Sequence, residues 1–251
     1  MLVTFALESE FVAWRRLRNF ARVENAAIPT FESTRNGFEI RVVLTGMGSA
    51  RAQRVAREAL HWQPDICVAA GFAGGLKPEY RSGCVLVAEA VRDAETNRSL
   101  ASDHRIIQLA EESGASRVPA LITCSYALAK VEDKIRMGQA ADAVDMESFH
   151  ILEAAHERGI VGIAIRAVSD AVDEDLPFDF SQILDDRGRV RILRLAQMVI
   201  VSPLRIPGLI RLGLASRRAA ARLAQVLEET IGLLGQNSEA LAEAAVEPAT
   251  A

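Results

Sequence analysis

Carboxylates stand where this chain passes from apolar to polar: Glu8 and Glu10 in FALESEF, Glu147 in AVDMES and Asp170 in IAIRAVSD. A positioned acid can give or take a proton in a reaction, or stabilise positive charge developing beside it. An aspartate with its ordinary pKa of about 3.9 holds almost no proton at neutral pH, so a donor would need burial or negative neighbours. IAIRAVSD carries Asp170 to the tip of an apolar run, and the acid-rich turn AVDEDLP follows at once. Each acid also has a plain reading. Asp145 and Glu147 would charge a helix entry, where the dipole favours anions. Glu8 and Glu10 would end a strand in solvent, two apart and facing the same way. Asp173, Glu174 and Asp175 would form a charged surface loop.

The elements that must hold these residues are legible as alternating patterns. Short apolar runs at 3–7, 40–44, 66–70, 84–88, 120–124 and 161–168 predict strands. Apolar spacing of three and four predicts helices over 51–61, 103–113 and 147–158. Such alternation implies an α/β fold, a single domain with a mixed, mostly parallel sheet flanked by helices. Ligands of such sheets lie beyond the carboxyl ends of strands, so the polar residues ending each run matter most. Two glycine segments fall there, TGMGSARA (45–52) and AAGFAGGL (69–76). The second resembles a loop that a phosphate or sugar approaches. Neither satisfies GxGxxG or GxxxxGK[ST], and a plain strand-to-helix turn explains each equally well.

Composition narrows the class. The 251 residues are 50% hydrophobic and 25% charged with a net charge of −4, ordinary for a globular protein and without the basic excess of a nucleic-acid binder. Cys67, Cys84 and Cys124 lie far apart in mostly apolar settings, which predicts reduced thiols and a cytoplasmic location. No His, Cys and Asp grouping has metal spacing, and no metal or cofactor is expected. The opening MLVTFALESE has no basic segment, so no secretory leader is expected, and no run of about 18 apolar residues predicts a membrane span.

Together the segments ALESE, GMGSARA, AAGFAGGL, VDMES and RAVSDAVD resemble, in order and spacing, the nucleoside phosphorylase and nucleosidase superfamily. The likeness covers residues 1 to about 180. Its general pattern is that of methylthioadenosine/S-adenosylhomocysteine nucleosidase. The wording VDMES and RAVSDAVDE-LPFDF, with an arginine-rich end, is closer to the hopanoid-associated phosphorylase group. That resemblance implies removal of adenine from adenosylhopane to leave a ribosyl hopane; cleavage of methylthioadenosine or S-adenosylhomocysteine, or a non-catalytic nucleoside- or lipid-binding module, are the competing readings. It also implies a homodimer or larger assembly whose neighbours complete the pocket.

The resemblance assigns roles. Asp170 would protonate N7 of the departing purine, oriented by Ser169 and helped to keep its proton by the negative surroundings. Glu147 would accept hydrogen bonds from the ribose hydroxyls, and Met146 would lie against the ribose face. The backbone at Phe72, Ala73 and Gly74 would border base and sugar, and Tyr126 would stack on adenine. Glu10 matches the nucleosidase glutamate that activates water. Phosphorylases place arginines before the glycine loop and in the first turn; both are missing here, so hydrolysis is favoured. Arg51 would be the contact for phosphate were phosphate the co-substrate.

Composition changes after Asp186. Residues 187–227 hold nine arginines and no acid, with apolar residues between them. Residues 1–186 therefore read as the catalytic core, 187–235 as an arginine-rich apolar helical part of the same domain, and 236–251 as a disordered tail. The piece 200–222 would either pack on the core or lie peripherally on anionic lipid.

Overall fold

The computed structural model describes residues 1–35, 38–177 and 206–236. Ten strands form one mixed sheet: β1 (Leu2–Phe5), β2 (Ala21–Arg22), β3 (Thr30–Arg35), β4 (Phe38–Leu44), β5 (Ile66–Gly75), β6 (Val85–Asp93), β7 (Ser99–Ala101), β8 (Ser116–Thr123), β9 (Ala143–Asp145) and β10 (Val161–Asp170). The helices are α1 (Glu8–Arg18), α2 (Ser49–Ala59), α3 (His104–Glu112), α4 (Val131–Met137), α5 (Ser148–His156) and α6 (Ile206–Gln236). The α/β expectation holds, and each predicted strand and helix overlaps one of these elements, though the ends differ.

Strand β5 organises the sheet. It runs parallel to β1 over its first half and to β10 over its whole length, then pairs antiparallel with β9 at Gly74 and Gly75. Because β10 also pairs with β6, β6 with β8, and β8 with β9, these strands close on themselves. Side chains alternate between two apolar layers, as the two-residue period of a strand requires. Ile163, Ile165 and Ala167 of β10 face the layer under α1, α3 and α6, beside Phe11, Trp14 and Leu227. Ala164 and Val168 face the layer of α2 and α5, beside Val55 and Phe149.

Two expectations need correction, and the start of the C-terminal helix is clarified. FALESEF does not prolong a strand: the chain turns into α1 at Glu8, so Glu8 is exposed while Glu10 is buried. Two residues on a helix are about 200° apart, which separates the two acids. AAGFAGGL is strand up to Gly75 rather than a loop. The proline- and glycine-bearing stretch from 206 belongs to one continuous helix, with Pro207 in the first turn, where its missing N–H is not needed. Residues 178–205 and the tail 237–251, with Leu204 and Arg205 of the lipid expectation, lie outside the described residues. No helix among the described residues is long and apolar enough to cross a membrane.

Candidate active site

Glu10 is the third residue of α1, and its carboxylate closes the helix start by accepting the Leu7 N–H at 2.8 Å. Its other oxygen accepts the Phe72 N–H of β5 at 2.9 Å. A helix start and a strand end are thus locked on one carboxylate. Burial pushes this carboxyl above the ordinary glutamate range, against the pull of Arg166 and of its backbone donors.

Glu147 sits between β9 and α5, as the sequence placed it. Its Oε1 accepts the Gly48 N–H at 2.9 Å, while Ser49 donates its hydroxyl to the Met146 carbonyl at 2.8 Å. The turn 45–49 therefore fixes the helix entry of α5. Asp145, not Glu147, serves the bland role of charging that entry: it accepts the Ser148 N–H at 3.1 Å and the Thr123 hydroxyl at 2.6 Å. Burial pushes Glu147 up to about 7; Arg166 and the Gly48 N–H oppose the rise, and the charges of Asp145 and Glu10 add to it.

The cation among these acids is Arg166, in the middle of β10. It is 1% exposed, pairs with Asp145 at 2.6 Å, bonds Ser148 Oγ through Nε at 3.0 Å and Nη2 at 2.8 Å, and lies 4.0 Å from Glu147. One guanidinium thus faces three buried carboxylates, which is why burial is incompletely offset at Glu10 and Glu147. Gly71 stands beside Arg166 in register, with a backbone φ of +148°. A methyl group there would lie 2.5 Å from Arg166 Nη1 and 2.9 Å from Glu10 Oε1, so only glycine fits.

Asp170 ends β10 at a register shift. Val168 is opposite Ala73 and Asp170 opposite Gly74, which leaves Ser169 as an extra residue. Successive strand residues normally point to opposite faces, and such a bulge re-aims them. Ser169 and Asp170 accordingly line the same cavity, with Ser169 Oγ donating to Asp170 Oδ1 at 2.6 Å. Among the described residues, Asp170 has a cation rather than the expected acids as its nearest charged partner. Lys134 of α4 places its ammonium 2.5 Å from Asp170 Oδ2. The loop acids are turned elsewhere: Asp173 to Arg81 at 2.7 Å, and Asp175 to Lys130 at 3.1 Å and the Val131 N–H at 2.9 Å.

One cavity of about 470 Å³ is lined by Glu10, Glu147 and Asp170 together with Met146, Ser169, Phe72, Ala73, Gly74 and Tyr126. Its size suits a small organic ligand. Tyr126, 56% exposed, stands where it meets the surface. The first turns of α6 complete an apolar wall with Leu209 and Leu212. Arg51 is not part of the lining; its Nε donates to the Thr45 carbonyl at 2.8 Å. The structure also brings in residues that the sequence reading passed over. Arg166 had a signal, a lone cation inside an apolar run, since a charge so buried needs partners. Lys134 had none, because KVEDKIRM reads as a solvated helix.

Residues 10–200 match the model of the phosphorylase superfamily. The chain belongs to the phosphorylase superfamily. The expectation of an enzyme of the nucleosidase or phosphorylase kind stands at the level of that superfamily. Among solved superfamily-like folds, the methylthioadenosine/S-adenosylhomocysteine nucleosidase of Neisseria meningitidis in complex with methylthio-immucillin-A superposes with a TM-score of 0.72 at 20% identity, covering 93% of this chain and 98% of that one. The futalosine hydrolase of Helicobacter pylori gives 0.72 at 14%, covering 93% and 97%. A nucleosidase of Colwellia psychrerythraea in complex with adenine gives 0.66 at 17%, covering 91% and 94%.

Proposed function

We propose that this chain hydrolyses the N-glycosidic bond of a purine nucleoside carrying an apolar 5′ group, with a methylthioadenosine-type thioether as the leading substrate. The observation that supports the reading most is that Asp170, Glu147 and Glu10, far apart in sequence, line one cavity with an apolar wall from α6. Several similar solved structures are nucleosidases, one of them in complex with adenine, which points the same way.

In this reading water attacks the anomeric carbon as its bond to the purine breaks. Asp170 gives its proton to N7, so the base leaves neutral rather than as a poor anionic leaving group. Glu147 accepts the ribose hydroxyls and offsets positive charge developing on the ring, an effect strengthened by burial. Glu10, its carboxyl raised by burial and fixed by two backbone donors, takes the proton of the attacking water. A carboxylate at that place repels phosphate, Arg166 is already committed to acids and Arg51 is outside the lining, which favours water, while Arg217 of α6 also lines the cavity and is the described arginine to test for phosphate.

Product chromatography of methylthioadenosine in phosphate-free buffer tests the reading: free adenine and free sugar are expected from the wild type. Asp170→Asn should release adenine about 10²–10⁴-fold more slowly. A strict need for phosphate, with sugar 1-phosphate as product, overturns Glu10 as water activator. Equal rates from Asp170→Asn overturn the acid.

A second substrate, adenosylhopane, is favoured by one feature. Ile206, Ile210 and Leu214 form an exposed apolar stripe on the helix whose neighbouring face walls the cavity, a suitable contact for a bilayer that holds a lipid substrate. Faster adenine release from adenosylhopane in vesicles than from methylthioadenosine would move the assignment to it. Retained flotation on anionic vesicles after Ile206, Ile210 and Leu214 are all changed to Ser would remove the membrane contact.

A further inference from the structure

Lys134 is the least expected residue near the cavity. A lysine at 0% exposure on a seven-residue helix needs a reason, since a buried ammonium costs free energy unless paired and hydrogen-bonded. Its three N–H groups are all used: one on Asp170 Oδ2 at 2.5 Å, one on the Ala171 carbonyl at 2.9 Å and one on the Glu174 carbonyl at 2.8 Å. A neutral amine would have one donor too few for these oxygens and would turn a lone pair on the third. The arrangement fits an ammonium. It also joins α4 to the loop after β10, a joint repeated where Asp175 accepts the Val131 N–H.

We infer that Lys134 is a positioning residue for Asp170, fixing the plane of its carboxyl group and stabilising the negative charge that appears on it as the proton passes to the purine. The inference rests on the proposed role of Asp170 as the acid. An ammonium in contact with a carboxylate offsets its charge, so the contact strengthens as Asp170 gives up the proton. The charge it meets is small before the transfer and full after it, so the contact stabilises the transition state more than the bound substrate. The balance closes without another reactant: the Asp170 proton moves to N7, and Asp170 is left as a carboxylate between Ser169 Oγ–H and Lys134.

Among the described residues, the other charged groups about Asp170 are placed differently. On the loop, Asp173 pairs with Arg81, Asp175 with Lys130, and the Glu174 carboxylate accepts the Ala171 N–H at 3.3 Å. On α4, Asp133 is 3.4 Å from Arg136, and Glu132 belongs to its first turn. Across the cavity, Asp145 and Glu147 face Arg166, and Arg217 of α6 is part of the lining.

Lys134→Met tests it. With methylthioadenosine, kcat is expected to fall at least tenfold while KM stays within about twofold of the wild type, because the contact stabilises charge that appears only as the proton passes. A rise in KM as large as the fall in kcat would make Lys134 a structural residue only and overturn the inference. Melting temperature gives a reading independent of turnover. Lys134→Met should melt lower than wild type, and adding Asp170→Asn should recover at least half the loss, because the carboxylate left alone is then neutral. A double variant as unstable as the single one, or both unfolded alike, also overturns the inference. Should the wild type release no adenine, the proposed function fails while the melting series still decides whether the two residues are coupled.

Discussion

Replacing Glu147 with Gln should stabilise the empty protein at pH 8 while disabling it. The Glu147 carboxyl is 5% exposed and is pushed from 4.5 up to about 7, chiefly by burial. In the unfolded chain the same group loses its proton near 4.5. Between these values the folded protein holds more protons than the unfolded chain, so stability is full below 4.5, declines as pH rises and is lost above about 7. At about 1.4 kcal/mol per pH unit, that interval amounts to about 3 kcal/mol. Gln retains a carbonyl for the Gly48 N–H and has no charge to bury. Arg166 keeps Asp145 at 2.6 Å, so it is not stranded; losing the 4.0 Å contact with Glu147 offsets part of the gain. A net stabilisation of about 1–3 kcal/mol at pH 8 corresponds to roughly 3–10 °C in Tm for a domain of this size. Calorimetry from pH 4 to 8 without nucleoside would show it. The wild type should lose stability across pH 4.5–7 more steeply than Glu147→Gln. A variant that melts at or below the wild type at pH 8, with an unchanged pH slope, refutes the idea that burial raises this carboxyl.

Two further outcomes concern the backbone and the wall. Gly71→Ala, which forces a methyl group onto Arg166 Nη1 and Glu10 Oε1, should lower kcat/KM at least 100-fold and the Tm by several degrees, since a position with φ of +148° disfavours any side chain; near-normal kinetics would show that the two charged groups need not hold their places. Leu212→Asn puts an amide on the apolar wall, and KM for methylthioadenosine should rise about tenfold, a loss of about 1.4 kcal/mol, with little change for adenosine. Equal changes for both nucleosides would place the 5′ group elsewhere.

The long apolar runs announced their strands because burial on both faces leaves few polar positions, as in ICVAA and GIAIRAV. The start of α1 was hidden: its N-cap is Leu7, with no Ser, Thr, Asp or Asn to mark it, and the closing acid Glu10 reads equally well as a strand end. The continuation of β5 through GFAGG was hidden because glycine and alanine are weak strand formers, and only its neighbours hold it extended. The three-residue β9 is too short to show a period, yet it carries Asp145 to Arg166. Asp170 was placed correctly at the strand tip, but its surroundings were not. Adjacent acids in sequence suggested negative potential, whereas folding turns them to Arg81 and Lys130 and brings in a lysine from 36 positions away.

Strand β5 acts as a common ruler for this chemistry. Its amide at 72 holds one acid, its glycine at 71 admits the guanidinium, and its glycine at 74 leaves a carboxylate oxygen 3.2 Å from where a methyl would be. A slip of one residue in that ladder would misplace all of them together, so the segment has almost no freedom to diverge. Leu209 and Leu212 on α6 and Tyr126 after β8 lie off that strand and carry no such shared constraint. New specificities should therefore be sought by diversifying those positions, with the ruler left untouched.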